Sequence, residues 1–172
     1  ADGNVFIAGR LGLDPMIAKI TPLGEPIWVR NFPDNPNFSI ELVEIIEDSE
    51  QKLVICGTEG SSPSNRQAVA FRYDPVADQV LWFQQYPANR PAGAGILEKT
   101  PGGNYILCTN SQEFVGGMQK TRSSLLELDR TTGEVVPSFA VRYLGAPNLN
   151  INDMGVRNGN LYAVGSWRTN GQ

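Results

Sequence analysis

The 172-residue chain has no histidine, and that single absence removes several chemistries. A Ser-His-Asp or Cys-His nucleophile system cannot be built from it, nor can a His-ligated zinc or iron site. Its 14 basic residues are outnumbered by 18 acidic ones, giving a net charge of −4, and they form no basic run. The electrostatic footprint of a nucleic-acid binder is therefore missing. No apolar stretch approaches the roughly 18 residues that a membrane-spanning helix needs. No catalytic residue stands out, and neither a cofactor nor a metal ion is expected. The remaining acid/base candidates are carboxylates, densest at Glu44, Glu47, Asp48 and Glu50. That cluster straddles a predicted turn and reads as solvated, because a perturbed carboxylate needs burial and partners.

What the sequence does contain is one short phrase written four times. A glycine or polar turn is followed by an apolar burst ending in a small residue: GNVFIAG from Gly3, QKLVICG from Gln51, GNYILCT from Gly103 and GNLYAVG from Gly159. Aligning Val5, Leu53, Tyr105 and Leu161 gives spacings of 48, 52 and 56 residues. Such a period points to stacked supersecondary units. Around the second anchor lie SIELVEII, QAVAFRYD and VLWFQQY, and around the third GAGILEK, SSLLELD and VVPSFAVRY. Each unit thus offers four apolar runs of strand length, separated by Gly, Pro, Asn and Asp turn chemistry.

Four antiparallel strands at this period describe a propeller blade. The runs are nearly continuous in apolar residues, as expected when both faces of a sheet are covered. A two-sheet sandwich is the rival, but it calls for regular one-sided alternation. The expectation is an all-β fold: a β-propeller of four-stranded antiparallel blades forming a partial ring of about three blades. With strands lettered A to D from the axis outward, the units fall at 1–38 (strands B to D), 39–92, 93–147 and 148–172 (strands A and B). This is short of the roughly four blades usual for a ring. The segment is therefore expected to belong to a longer propeller, completed by blades of the same or another chain, with pairing of two such segments as the alternative.

Cys56 and Cys108 occupy the same place in consecutive units. Equivalent positions on neighbouring sheets lie about 10 Å apart, whereas a disulfide needs Cα atoms within about 7 Å, so buried free thiols are the expected state. Trp28 and Trp82, with Phe139 near the matching place, form an aromatic stripe that reads as packing between units. Asp34, Asn35 and Asn37 read as a turn-rich connection, and Asn37-Phe38-Ser39 matches a glycosylation sequon.

Loop lengths supply the one functional asymmetry. The turns on one side of the units are short and uniform (EDSEQ, TPGG, RNG; TPLGE, DPVADQ, RTTGE), while the other side carries RLGLDP, TEGSSPSNR and TNSQEFVGGMQKT. Long, varied loops on a rigid scaffold are where binding usually resides. The long-loop side also carries six cations against the four carboxylates Asp14, Asp34, Glu59 and Glu113. Arg10, Arg66, Arg90, Lys120, Arg122 and Arg168, with Phe114 and Trp167 beside them, form the candidate binding surface for an acidic protein segment or an anionic glycan.

The cadence MIAKITPLGEPIWVRNF and AVAFRYDPVADQVLWFQQY resembles the degenerate propeller repeats of large secreted and cell-surface proteins of Bacteroidetes-type bacteria. That resemblance spans essentially the whole chain. It implies an extracellular or cell-surface module for adhesion, scaffolding or assembly, with the periplasm as the alternative location. A second resemblance is to quinoprotein-type propeller repeats, whose Asp-x-x-Thr-Gly-x-x-x-Trp phrase is half matched by LELDRTTGEVVPSF and half by RYDPVADQVLWF. It implies the other functional reading, a propeller enzyme or glycan-active enzyme whose catalytic residues lie outside this segment.

Overall fold

The leading residue of each repeated phrase is a backbone switch. Gly3, Gln51, Gly103 and Gly159 all have left-handed φ values, of 72°, 59°, 92° and 78°. A tight antiparallel turn needs one such residue, and glycine adopts the conformation without the Cβ penalty. Two of these turns close with the same hydrogen bonds. The Asp48 N–H donates to the Lys52 carbonyl at 2.8 Å and the Gln51 N–H to the Asp48 carbonyl at 3.2 Å. Thr100, Asn104 and Gly103 repeat the pattern at 2.8 and 3.0 Å. The sequence repeat is therefore a repeat of turn geometry.

A computed structural model of the chain describes residues 3–12, 14–32, 40–60, 65–86, 92–115, 118–137 and 149–167, without the side chains of 112–115, 118–120, 149 and 167. The described residues are all-β, and the sheets are largely antiparallel. The first sheet contains β1 (Val5–Leu11), β2 (Asp14–Ile20) and β3 (Pro26–Asn31). The second is a four-stranded meander of β4 (Ile40–Glu47), β5 (Leu53–Glu59), β6 (Gln67–Asp74) and β7 (Gln79–Tyr86). The third joins β8 (Ala92–Lys99), β9 (Tyr105–Val115) and β10 (Met118–Leu128) to β11 (Leu149–Arg157) and β12 (Asn160–Trp167). Its two halves meet through one parallel pair, Arg122 with Leu149.

A bulge recurs in the first strand of each hairpin that opens with β4, β8 or β11, with an extra residue at Val43, Gly95 and Asn152. Bulges bend a strand and increase its twist. Placed at the same step each time, they give these three strands a common shape.

The sheets stack face on face. On β5, Leu53 and Ile55 join a cluster with Ile17 and Phe6 of the first sheet, while Val54 and Cys56 join one with Tyr105 and Leu107 of the third. Alternate side chains of a strand leave opposite faces, so both faces of the second sheet are covered. That is why β5 is apolar throughout, with residues 53 to 57 all buried. Ile106 and Cys108 leave the far face of β9 to pack with Ile151 and Met154 of β11. Cys56 and Cys108 are both free and buried on this architecture.

Outer strands grip the next sheet. On β7, the Trp82 Nε1–H donates to the Arg130 carbonyl at 3.0 Å, the Gln84 amide to the Thr132 carbonyl at 2.9 Å and the Tyr86 hydroxyl to the Gly133 carbonyl at 2.8 Å. Gly133 has φ 73°, and a Cβ there would lie 2.5 Å from Trp82 Cε3, so the ring and the turn fit only with glycine between them. The preceding junction uses the same relation. Arg30, two residues after Trp28 on β3, places its Nε 3.0 Å from Asp78 Oδ1 in the β6–β7 turn. Phe139, the third member of the expected aromatic stripe, lies outside the described residues.

Candidate functional site

Meander topology divides each unit into a turn end, where β4–β5 and β6–β7 connect, and a loop end, where β5–β6 and the crossings between sheets connect. The two ends differ in chemistry. At the turn end the polar groups bond to one another across two sheets; the loop end holds its own bonded groups, such as Glu59 with Gln67 and Gln85, beside the exposed Arg66.

Asp48 is the hub of the turn end. It is 7% exposed. Its Oδ1 accepts the Glu50 and Lys52 N–H groups at 2.7 and 3.0 Å. Its Oδ2 accepts Arg72 Nε and Nη2 at 2.8 and 2.6 Å, and the Tyr105 hydroxyl at 2.9 Å. Burial works against its charge, but the Lys52 N–H, the guanidinium and the tyrosine hydroxyl outweigh it and hold the carboxyl below its ordinary range. Arg72 also reaches Glu50 at 2.8 Å, and Glu50 reaches Arg130 of the third sheet at 3.0 Å. Burial pushes the Tyr105 hydroxyl up, reinforced by its bond to Asp48. Nearby, Lys52 Nζ pairs with Asp74 at 2.6 Å, and the Tyr73 hydroxyl, pushed up to about 12 by burial, donates to Asp78. The expectation that Asp48 is solvated is thus corrected: it ties the second sheet to the third. A carboxylate so saturated has no lone pair left for a substrate.

Glu44 is a second carboxyl that the solvated reading missed. The β4 bulge brings it against the third sheet, where its Oε2 accepts the Leu97 N–H at 2.5 Å. Burial raises its pKa, opposed by the Leu97 hydrogen bond and reinforced by the charges of Glu98 and Asp153. A carboxyl raised in this way is the kind of group that general acids are made from. Among the described residues no cluster of three or more His, Cys, Asp or Glu is placed to hold a metal ion.

The loop end collects part of the sequence-derived surface. A single row crosses all five strands of the third sheet: Ala92, Ser111, Arg122, Leu149 and Trp167 are successive register partners. Arg66 adjoins this row, since its carbonyl accepts the Ala92 N–H at 3.0 Å. Arg66, Arg122 and the backbone of Trp167 therefore share one edge, with Arg122 and Trp167 two strand spacings apart, about 10 Å. Arg66 is exposed and Arg122 half-buried.

The segment 109–121, expected as a long loop, is a β-hairpin extension instead. Strands β9 and β10 continue through it to the pair Val115 and Met118, on either side of Gly116 and Gly117. Phe114 and Lys120 lie on these extended strands, opposite Gln119 and Glu113. Arg10 is exposed near the end of β1 in the first sheet, apart from the row. Arg90 and Arg168 lie outside the described residues, as do the side chains of Phe114, Lys120 and Trp167. The described residues include no helix long and apolar enough to cross a membrane. In comparisons with known proteins, no family model matches the chain and no curated protein matches its sequence.

Proposed function

We propose that the chain is a non-catalytic segment of a β-propeller, acting as a binding and scaffolding module of a secreted or cell-surface bacterial protein. The observation that carries this reading is the repeated junction. Arg30 on β3 and Gln84 on β7 both tie an outer strand to the second turn of the following sheet, each reaching a residue 48 positions later. One junction applied again and again turns successive sheets by a constant operation, which generates a ring or a superhelix. Short uniform turns at one end and an extended hairpin at the other fit a scaffold that keeps one face closed and offers the opposite one.

The partner chemistry is read from the loop-end row, where Arg66 is exposed and Arg122 half-buried. Arg66 and Arg122 stand beside a tryptophan position on the third sheet, suiting an acidic protein segment or an anionic glycan. Charge reversal of Arg66, Lys120 and Arg122 to Glu together, read by retention on immobilised dextran sulfate and on a poly-glutamate surface, tests it. Loss of salt-sensitive retention with an unchanged unfolding midpoint is expected. Unchanged retention on both discards the loop-end surface.

A further inference from the structure

The loop end holds one charge that its neighbours orient without cancelling. Glu59, the last residue of β5, is 8% exposed, and its hydrogen-bond partners among the described residues are two neutral amides. Gln85 Nε2 donates to Glu59 Oε2 at 2.6 Å and Gln67 Nε2 to the same oxygen at 3.4 Å. Buried charge is ordinarily paired with charge, and an amide is only a dipole. Both bonds land on one oxygen, so among the described residues Oε1 keeps its lone pairs for a further donor. Gly60, with φ 135°, then folds the chain back: a Cβ there would lie 2.8 Å from the Asn65 carbonyl oxygen and 3.0 Å from the Arg66 Cα. The exposed Arg66 is thereby placed next to the Glu59 end of β5. Its carbonyl partner Ala92 starts the row through Ser111 to Arg122, two strand spacings or about 10 Å further on.

A surface that sets an acceptor among cations selects between ligands. A purely acidic peptide would bring its carboxylates up to Glu59 as well as to Arg66, and like charges so juxtaposed cost affinity. A polysaccharide that carries both carboxylates and hydroxyls has an acceptor for each arginine and a donor for Glu59. We infer that the loop end takes an anionic glycan, with Arg66 and Arg122 meeting its carboxylates and Glu59, held by Gln67 and Gln85, accepting a ring hydroxyl. This rests on the loop-end surface proposed above and narrows its partner from two classes to one. Glu59, Gln67 and Gln85 come from three neighbouring strands of the second sheet, so the scaffold itself, and not a loop, fixes the acceptor.

Polygalacturonate and poly-glutamate separate the two classes, since both are carboxylate polymers and only the first has hydroxyls. The parent chain is expected to bind polygalacturonate at least about tenfold more tightly, the size of one hydrogen bond to a charged group. Glu59→Gln removes the charge with little change of shape. It is expected to lower polygalacturonate affinity about tenfold and to raise poly-glutamate affinity about threefold, because the first loses its acceptor and the second a repulsive neighbour. Gln85→Ala, at an exposed position, releases the carboxylate without altering net charge. It is expected to weaken polygalacturonate binding alone, at an unchanged urea midpoint. Equal affinity of the parent for the two polymers overturns the inference, as does a Glu59→Gln variant that shifts both in the same direction or shifts neither. A parent chain that binds neither polymer also overturns it, and retention on dextran sulfate then shows whether the loop-end surface falls with it.

Discussion

The first and second sheets have the same hairpin chemistry and opposite surroundings. β2 and β6 are central strands, each hydrogen-bonded on both edges. Yet the second sheet is sheathed on both faces and the first on one. At the same place in the repeat, Ile55 is fully buried while Ile7 is 39% exposed. Local sequence makes the strand in both cases, and stacking decides what the strand contributes to stability. Energy in this architecture belongs to junctions between sheets more than to the sheets themselves.

The largest effect that exploits this contrast comes from the junction hub. Asp48→Ala leaves Arg72, Tyr105 and two backbone N–H groups without their acceptor, and removal of one partner from such a buried pair costs about 3–5 kcal/mol. Urea unfolding at pH 7 measures it. The pH dependence has a definite sign. A carboxyl held below its unfolded value stabilises the fold above that value and loses the contribution as pH falls through the folded one. The parent chain therefore loses stability below about pH 4, and Asp48→Asn flattens that acid limb.

Next in size is the matched pair of truncations. Ile55→Ala empties a site walled by two sheets and is expected to cost about 2–5 kcal/mol. Ile7→Ala, at the equivalent place on the uncovered face, is expected to cost under about 1 kcal/mol in the monomer. Similar losses at both positions would erase the distinction between covered and uncovered sheets.

Much of this organisation was legible in the residues. The four phrases open on left-handed residues, Gly3, Gln51, Gly103 and Gly159, the last three in strand-connecting turns, and the continuous apolar run of β5 announces two covered faces. Trp82 lies in the cluster that joins the second and third sheets, as a stripe at matched positions suggests. Asp48 was hidden because its partners are distant: Arg72 is 24 residues away and Tyr105 is 57, while its neighbours in EDSEQ are all polar. The β9–β10 extension was hidden by composition, since Thr109 to Thr121 is mostly polar and sheet pairing does not require apolar side chains. Its one available signal was the Gly116-Gly117 doublet, a favoured two-residue hairpin connection. Glu44 escaped because a one-residue bulge at Val43 re-aims it, and bulges have no reliable mark in a single sequence.

A smaller effect of opposite sign sharpens the comparison from the same junction. Glu44 is raised above its ordinary value, so its charge costs stability at neutral pH, and that cost disappears as pH falls through the raised pKa. Glu44→Gln keeps an acceptor for the Leu97 N–H without the charge. It is expected to raise the urea midpoint slightly at pH 7 and to leave it unchanged near pH 4. A lower midpoint at pH 7 would mean that the charged form is the one the fold requires.

Amide hydrogen exchange in the native state tests the account most directly, because β2 and β6 have equivalent hydrogen bonding and differ in how many of their faces are covered. Exchange of the interior amides of β6 is expected to require global unfolding, while those of β2 exchange faster through separate opening of the first sheet. Equal protection of the two strands would contradict the claim that junctions between stacked sheets, and not the sheets alone, hold this chain together.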